Sequence, residues 1–284
     1  MSDPVTLTVV GSVNLDLVAL GATLPSPGET VTGALYKEYP GGKGANQALA
    51  AQRLGADVSL IGRTGADTNA SAALELLRRE GVDLEHCTEL SDEATGVALI
   101  AVSADGENQI IVAPGANEKL APGDIPALKT DAVLAVLEVP VETVLAAAER
   151  CDGFFAVNLA PALAVPDKLI QLADLIIVNE VEAEAYGDQL TNCGGLVAVT
   201  YGAKGAALFR SGVEIAEAAP PQVNVVDTTG AGDTFSAALV FSLCQGQPQE
   251  SALEFACRAG AFATTKAGAQ PSFPTAEDMK REMH

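Results

Sequence analysis

Val225-Val226-Asp227-Thr228-Thr229-Gly230-Ala231-Gly232-Asp233-Thr234-Phe235 reads as strand, glycine turn and helix. The apolar run Val223 to Val226 predicts a buried strand, and the Ala-rich segment Ser236 to Cys244 predicts a helix. Unpaired backbone N–H groups at such a helix start point outward and carry the positive end of the helix dipole. Gly230 and Gly232 permit φ > 0 and let the backbone approach an anion closely. Asp233 then sets a carboxylate beside an anion site. It either caps the helix or acts as the base for a hydroxyl that attacks a bound phosphate.

A second glycine-rich helix start stands at Gly41-Gly42-Lys43-Gly44-Ala45-Asn46-Gln47-Ala48, with helix to Leu54 and a stop at Gly55. It lacks the glycine spacing and the Lys-Ser/Thr pair of a Walker A loop. It is either a packing turn or the lining of a small polar site, with Lys43 and Asn46 contributing side chains. Upstream, Thr6 to Val10 is a short strand ending at Gly11. Asn14 and Asp16 follow, alternating with apolar residues, so an extended backbone aims both the same way. They are either turn formers or a carboxamide and a carboxylate offered to a polyol's hydroxyls.

Strands and helices then alternate. Val58 to Ile61, Ala132 to Leu137, Phe154 to Val157 and Leu175 to Val178 predict strands. Helices are predicted from Asp67 to a stop at Gly81, over Val141 to Arg150, over Val181 to Tyr186 and from about Gln249 to Lys266. The pattern is that of parallel βαβ units, an α/β fold with a mostly parallel central sheet flanked by helices. Ligands of such sheets bind at the carboxyl ends of the strands. Glu138, Asn158, Asn179, Thr200 and Asp227 each follow an apolar run, which points to one shared crevice. Asn179-Glu180-Val181-Glu182 opens an acidic helix start. That is either simple dipole matching or a place where Glu182 holds a water-coated Mg²⁺. Thr200-Tyr201-Gly202-Ala203-Lys204-Gly205 is a hairpin turn or a floor for nucleotide phosphates. Val97 to Ile100 and Gln109 to Val112 flank Asp105-Gly106, a hairpin signal. Their alternation predicts a separate small sheet, exposed on one face and paired with the region Val31 to Tyr39.

Composition narrows the function. Hydrophobic residues make up 48% of the 284, so the chain is globular. No apolar run reaches the ~18 residues of a membrane span. Met1-Ser2-Asp3-Pro4 has no basic stretch before an apolar one, so a secretory signal is not expected and the cytoplasm is. The five cysteines form no Cys-x-x-Cys pair, which predicts reduced, mostly buried thiols. His86 and His284 are the only histidines, which argues against a Ser-His-Asp triad or a His-rich zinc site. With 16 basic and 37 acidic residues, the net charge of -21 disfavours nucleic-acid binding. A phosphorylated ligand would have to be held by local N–H groups, a few lysines and a divalent metal.

Six segments occur in order: Gly11 to Asp16, Gly41 to Ala48, Asn158-Leu159-Ala160-Pro161-Ala162, Asn179 to Glu182, Asp227 to Phe235, and Gly268-Ala269-Gln270-Pro271-Ser272. From Val9 to about Pro274 the chain resembles the ribokinase family, within the larger group of sugar and nucleoside kinases named for a minor phosphofructokinase. The resemblance implies one Rossmann-type kinase domain over residues 1–284 with a small β-sheet lid, its strands at approximately 12–40 and 95–113. It implies transfer of the γ-phosphoryl of ATP to the 5-hydroxyl of ribose with Mg²⁺, and a homodimer through the lid. Asn14, Asp16, Gly42, Lys43, Gly44, Asn46 and Glu138 would hold the sugar. Asn179, Thr200, Gly202, Lys204, Gly205 and Gly232 would contact the nucleotide, and Glu182 would place Mg²⁺ through water. Gly230, Ala231 and Gly232 would form the anion hole, with Asp233 as base. A monovalent cation, usually K⁺, would sit among Asp227, Thr229, Ala263, Lys266, Gly268 and Ser272, with Lys266 using only its carbonyl. The stretch Ala185 to Gly195 is shorter than the family pattern. Two alternatives use the same residues: a kinase of the same fold for deoxyribose, a fructose-type sugar or a nucleoside such as adenosine, and a sugar-binding regulator without turnover.

Overall fold

Apolar runs buried on both faces build the larger of two sheets. The structure, a computed structural model, describes residues 4–281, so His284 and all but the last residue of the Met1 to Pro4 start lie outside it. In chain order the elements are β1 (Thr6–Val10), β2 (Asn14–Leu20), β3 (Leu35–Gly41), α1 (Lys43–Leu54), β4 (Asp57–Gly65), α2 (Thr68–Ala73) and α3 (Glu75–Arg79). Then come β5 (Cys87–Leu90), β6 (Gly96–Val102), β7 (Asn108–Ala113), β8 (Ala132–Val136), α4 (Val141–Arg150), β9 (Phe154–Asn158) and α5 (Asp167–Leu172). The rest are β10 (Leu175–Asn179), α6 (Glu180–Tyr186), β11 (Leu196–Thr200), β12 (Ala206–Arg210), β13 (Val213–Ala218), α7 (Ala231–Cys244), α8 (Gln249–Ala263) and α9 (Ala276–Arg281).

The large sheet runs β13-β12-β11-β10-β9-β8-β1-β4-β5. It is parallel from β11 to β5, and β12 and β13 turn antiparallel at one edge. All five residues of β8 are buried, as the continuous run Ala-Val-Leu-Ala-Val requires in a sheet covered on both sides. One core packs Leu49 of α1, Leu239 of α7 and Leu253 of α8 against Leu7 and Leu134. The other packs Val144 of α4 and Leu169 of α5 against Val133 and Val157. Among the described residues, no helix is long and apolar enough to cross a membrane. None of the five cysteines is in a disulfide; Cys193 and Cys257 are buried and the other three are partly buried.

The second sheet runs β3-β2-β6-β7. Its hairpin turns at Asp105-Gly106 as expected, with Gly106 at φ 90°. Two expectations need correction here. The region before α1 does join this sheet, as β3, but β2 lies between it and the hairpin, because all seven residues of β2 pair on both sides. The hairpin is also not exposed on one face only: β7 is exposed at all six positions, so among the described residues neither of its faces is covered.

A third correction concerns Val223 to Val226. No strand forms there, and Val225 and Val226 are 59% and 57% exposed. Pro220 and Pro221 remove two ladder donors just after β13, and the run instead meets the end of α8, where Val226 N–H and Asp227 N–H donate to the Thr264 carbonyl. Asp227 therefore reaches its place from a loop, not from a strand end.

Candidate active site

Helix α7 begins at Gly230, whose φ of 78° is left-handed; a β-carbon there would meet Phe273 Cε1 at 2.6 Å and Ala269 Cβ at 2.9 Å. Two residues on, a β-carbon on Gly232 would meet nothing within 4 Å. The helix start is thus packed behind and bare in front. Asp233, in the first turn, is only 9% exposed. Its carboxylate turns away from capping and toward α1: Asn46 Nδ2 donates to Oδ2 over 2.9 Å, and Gln47 Nε2 donates to Oδ1 over 3.2 Å. Burial pushes the Asp233 carboxyl above the usual range, opposed by Lys43 and by these two amides.

Asp233 opens into a cavity at the carboxyl ends of β9, β10 and β11, lined also by Lys43, Asn179, Glu182, Thr200, Gly230 and Gly232. Asn179 caps α6, accepting from Glu182 N–H at 2.8 Å, while Glu182 Oε2 accepts from Asn179 N–H at 2.8 Å. Burial raises the Glu182 carboxyl, and Lys43 opposes the shift. Of the turn after β11, only Thr200 lines this cavity; Gly202, Lys204 and Gly205 do not. Gly205 is required by packing, since a β-carbon would strike the Ala218 carbonyl.

The neighbouring residues converge on Lys43. Its Nζ lies 3.4 Å from Glu138 Oε1, and its N–H donates to Glu138 Oε2 over 3.1 Å. Burial works against the Lys43 charge, but the carboxylates of Asp233 and Glu138 outweigh it and raise its pKa. Ser12 Oγ also donates to Glu138 Oε2, at 2.5 Å. Asn14 is buried and oriented by Asn117, whose Nδ2 donates to Asn14 Oδ1 over 2.8 Å. Asp16 is pushed up to about 7, first by burial and then by Glu138 and Asp233. The backbone crowds this corner. A β-carbon on Gly41 would meet Asp16 Oδ2 at 2.5 Å, one on Gly42 would meet Asn14 N at 2.6 Å, and one on Gly44 would meet Gly11 C at 2.5 Å.

Behind the α7 start, Asp227 ties two loops together. Oδ1 accepts from Thr229 N–H (2.9 Å) and Thr229 Oγ1 (2.6 Å), and Oδ2 accepts from Gly268 N–H (2.8 Å). These bonds overcome burial and hold its pKa low, so it stays ionised. Gly268 has φ 80° and packs on the Tyr39 ring. Lys266 Nζ lies 5.5 Å from the Phe262 ring centre, a cation–π contact. Ala263, at the end of α8, and Ser272 are both buried. Among the described residues, no three His, Cys, Asp or Glu side chains are grouped to hold a metal ion by themselves.

Four site residues fall outside the sequence-predicted set: Ser12, Gln47, Asn117 and Gln270, whereas Asn158, expected in the crevice, does line it. Asn158 accepts from Gln47 Nε2 at 3.1 Å and lines the cavity. Ser12, Gln47 and Gln270 stand inside segments already singled out, so position in the motif was the available signal. Asn117 lies in a short turn with no pattern around it.

The family model for pfkB family carbohydrate kinase matches residues 6–276. The chain is 37% identical over 288 residues to ribokinase of Bacillus subtilis, covering 96% of this chain and 98% of that one. The fold is similar to a ribokinase from Thermotoga maritima, with TM-score 0.91, 31% identity and coverage of 98% and 99%. It is also similar to Arabidopsis thaliana ribokinase complexed with ribose and ATP, with TM-score 0.86, 30% identity and coverage of 98% of each chain. With glycine-framed α7 start, buried carboxylate and full-length likeness in agreement, this chain belongs to the pfkB family of carbohydrate kinases.

Proposed function

We propose that this protein transfers the γ-phosphoryl of ATP to the 5-hydroxyl of D-ribose. The observation that carries the reading is the buried Asp233 carboxylate, held at the glycine-framed start of α7 and facing a cavity it shares with Lys43, Asn179 and Thr200. The similarity to a ribokinase complexed with ribose and ATP supports the pairing of substrates.

Phosphoryl transfer needs positioning and charge stabilisation more than covalent chemistry. In this reading Asn14, Asp16, Gly42, Lys43, Gly44, Asn46 and Glu138 hold the sugar. The pair of carboxylates at Asp16 and Glu138 accepts from hydroxyls, and the Lys43 charge between Glu138 and Asp233 keeps three nearby carboxyls compatible. Asp233 orients the acceptor hydroxyl and takes its proton as the bond to phosphorus forms. Its raised pKa makes it a stronger base than an ordinary aspartate. N–H groups of Gly230, Ala231 and Gly232 meet the developing negative charge. In this reading the nucleotide is met by Asn179, Thr200 and Gly232, which line the cavity, and by Gly202, Lys204 and Gly205, which do not line it in the ligand-free chain.

Two ions fit the residues present. Glu182, a carboxylate lining the cavity, suits Mg²⁺, which keeps its waters and would be placed by it through water. Bound there, Mg²⁺ neutralises charge on the β- and γ-phosphates. The ionised Asp227, bridging the Thr229 and Gly268 backbone, suits a monovalent cation shared with carbonyls of Ala263, Lys266 and Gly268 and with Ser272. The four-stranded sheet is read as a lid and dimer surface: Leu35, Tyr36, Leu99, Ile110, Ile111 and Val112 are all exposed on it. An ADP-release assay across ribose, deoxyribose, fructose and adenosine tests the assignment. Ribose should be turned over best, and preference for a nucleoside would overturn it.

A further inference from the structure

Asp233 receives one side-chain N–H on each carboxylate oxygen, from Asn46 and from Gln47. A carboxamide has an oxygen face and a nitrogen face, and only the second serves a carboxylate. Asn46 must therefore be held nitrogen-first. Gln270 does this: its Nε2 donates to Asn46 Oδ1 over 3.2 Å, which commits the Asn46 oxygen to the side away from Asp233. Asn46 is 5% exposed and Gln270 is 0% exposed, so bulk water offers no substitute donor. Among the described residues Gln270 Oε1 itself has no hydrogen-bond partner in this buried place, a costly arrangement that marks a residue kept for its donor.

Arg53 fixes the turn that carries Gln270. Its Nη1 donates to the carbonyls of Gln270 (2.6 Å) and Phe273 (3.0 Å), while Nε and Nη2 bind the two oxygens of Glu80 at 2.7 Å each. Only 10% of the Arg53 side chain is exposed. Arg53 sits in the last turn of α1, the helix whose first turns carry Asn46 and Gln47. One helix thus grips the turn at one end and is oriented by it at the other. Phe273, held by the same guanidinium, backs Gly230 at the α7 start.

We propose that Gln270 is a positioning residue for phosphoryl transfer: by donating to Asn46 Oδ1 it keeps Asn46 Nδ2 aimed at Asp233, with Arg53 anchoring its backbone. The proposal rests on Asp233 being the base. Besides the amides, the charged groups that act on Asp233 are Lys43, Glu138 and Asp16.

The test follows the Asp233 carboxyl by ¹³C NMR in the ligand-free protein, together with the pH profile of kcat. In Gln270→Met, which fills the space but cannot donate, the Asp233 pKa should rise by about one unit, the worth of a charge-assisted hydrogen bond. The acid limb of kcat should move with it, at unchanged KM for ATP. In an Asn46→Ala background the same change should add no shift, because the two act through one bond. Arg53→Lys keeps a charge opposite Glu80 but loses the fork, and should shift the carboxyl in the same direction by less. An unmoved Asp233 titration in folded Gln270→Met overturns the proposal, as does a full shift in the Asn46→Ala background. If Gln270→Met does not fold, an unmoved titration in Arg53→Lys does the same. The NMR reading needs no sugar, so loss of the ribose assignment and loss of this inference are separate results.

Discussion

Lys43 and Glu138 meet twice: backbone N–H to Oε2 at 3.1 Å and Nζ to Oε1 at 3.4 Å. The glutamate thereby pins the first residue of α1 to the end of β8, and the lysine charge is left facing both Glu138 and Asp233. Removing the charge partner while keeping the shape should be felt by both carboxylates. Lys43→Met should raise the pKa of Asp233 further and raise the KM for ribose, measured by NMR titration and steady-state kinetics. Unchanged values of both would show that Lys43 is merely a surface lysine.

Asp233→Asn should leave ATP binding intact by calorimetry while kcat falls at least about 10²–10⁴-fold, the usual worth of general-base help. The amide keeps the size of the side chain but cannot take a proton. Near-normal turnover would remove Asp233 from the role.

Asp16 gives a pH signature. Its pKa rises from 3.8 to about 7 on folding, so the folded chain holds that proton more tightly than the unfolded chain does. This contribution to stability is full below pH 3.8 and is lost as pH rises through about 7. The melting temperature of ligand-free Asp16→Asn should therefore gain on the parent across that window. Ribose affinity should move the opposite way, strengthening with pH as the carboxylate forms and accepts hydroxyls. A stability difference independent of pH would contradict the shift.

Two glycines with left-handed φ should respond differently to alanine. Gly106→Ala meets no atom within 4 Å, so only backbone strain of about 1–2 kcal/mol is expected in a denaturant titration. Gly42→Ala would press on Asn14 N at 2.6 Å and Ser12 O at 2.8 Å, and should cost more and abolish sugar binding. Equal losses at both sites would mean the crowding around Asn14 is unimportant.

Much of this site could be read along the chain, for a physical reason. Gly230, Gly232 and Asp233 sit within the first turn of one helix start, and Asn179 and Thr200 end strands, so local order places them. What stayed hidden depends on contacts between distant segments. Gln270 reaches Asn46 across 224 positions, and Asn117 reaches Asn14 across 103. Val223 to Val226 misled because a β-branched run signals burial only where a neighbour strand can pair, and Pro220 and Pro221 deny it one.

The cation reading predicts that replacing K⁺ with tetramethylammonium weakens ATP binding by roughly fivefold or more, within the usual range of site coupling. Asp227→Ala should be indifferent to the swap. Equal response of parent and variant would dismiss the Asp227 to Ser272 loops as the site.

The most direct measurement is the identity of the product. Incubated with ATP, Mg²⁺ and D-ribose, the protein should form ADP and a sugar phosphate whose ³¹P signal couples to the C5 protons, and 5-deoxyribose should yield neither. ADP formation that proceeds equally with 5-deoxyribose, or a phosphorus coupled to another carbon's protons, would contradict the account.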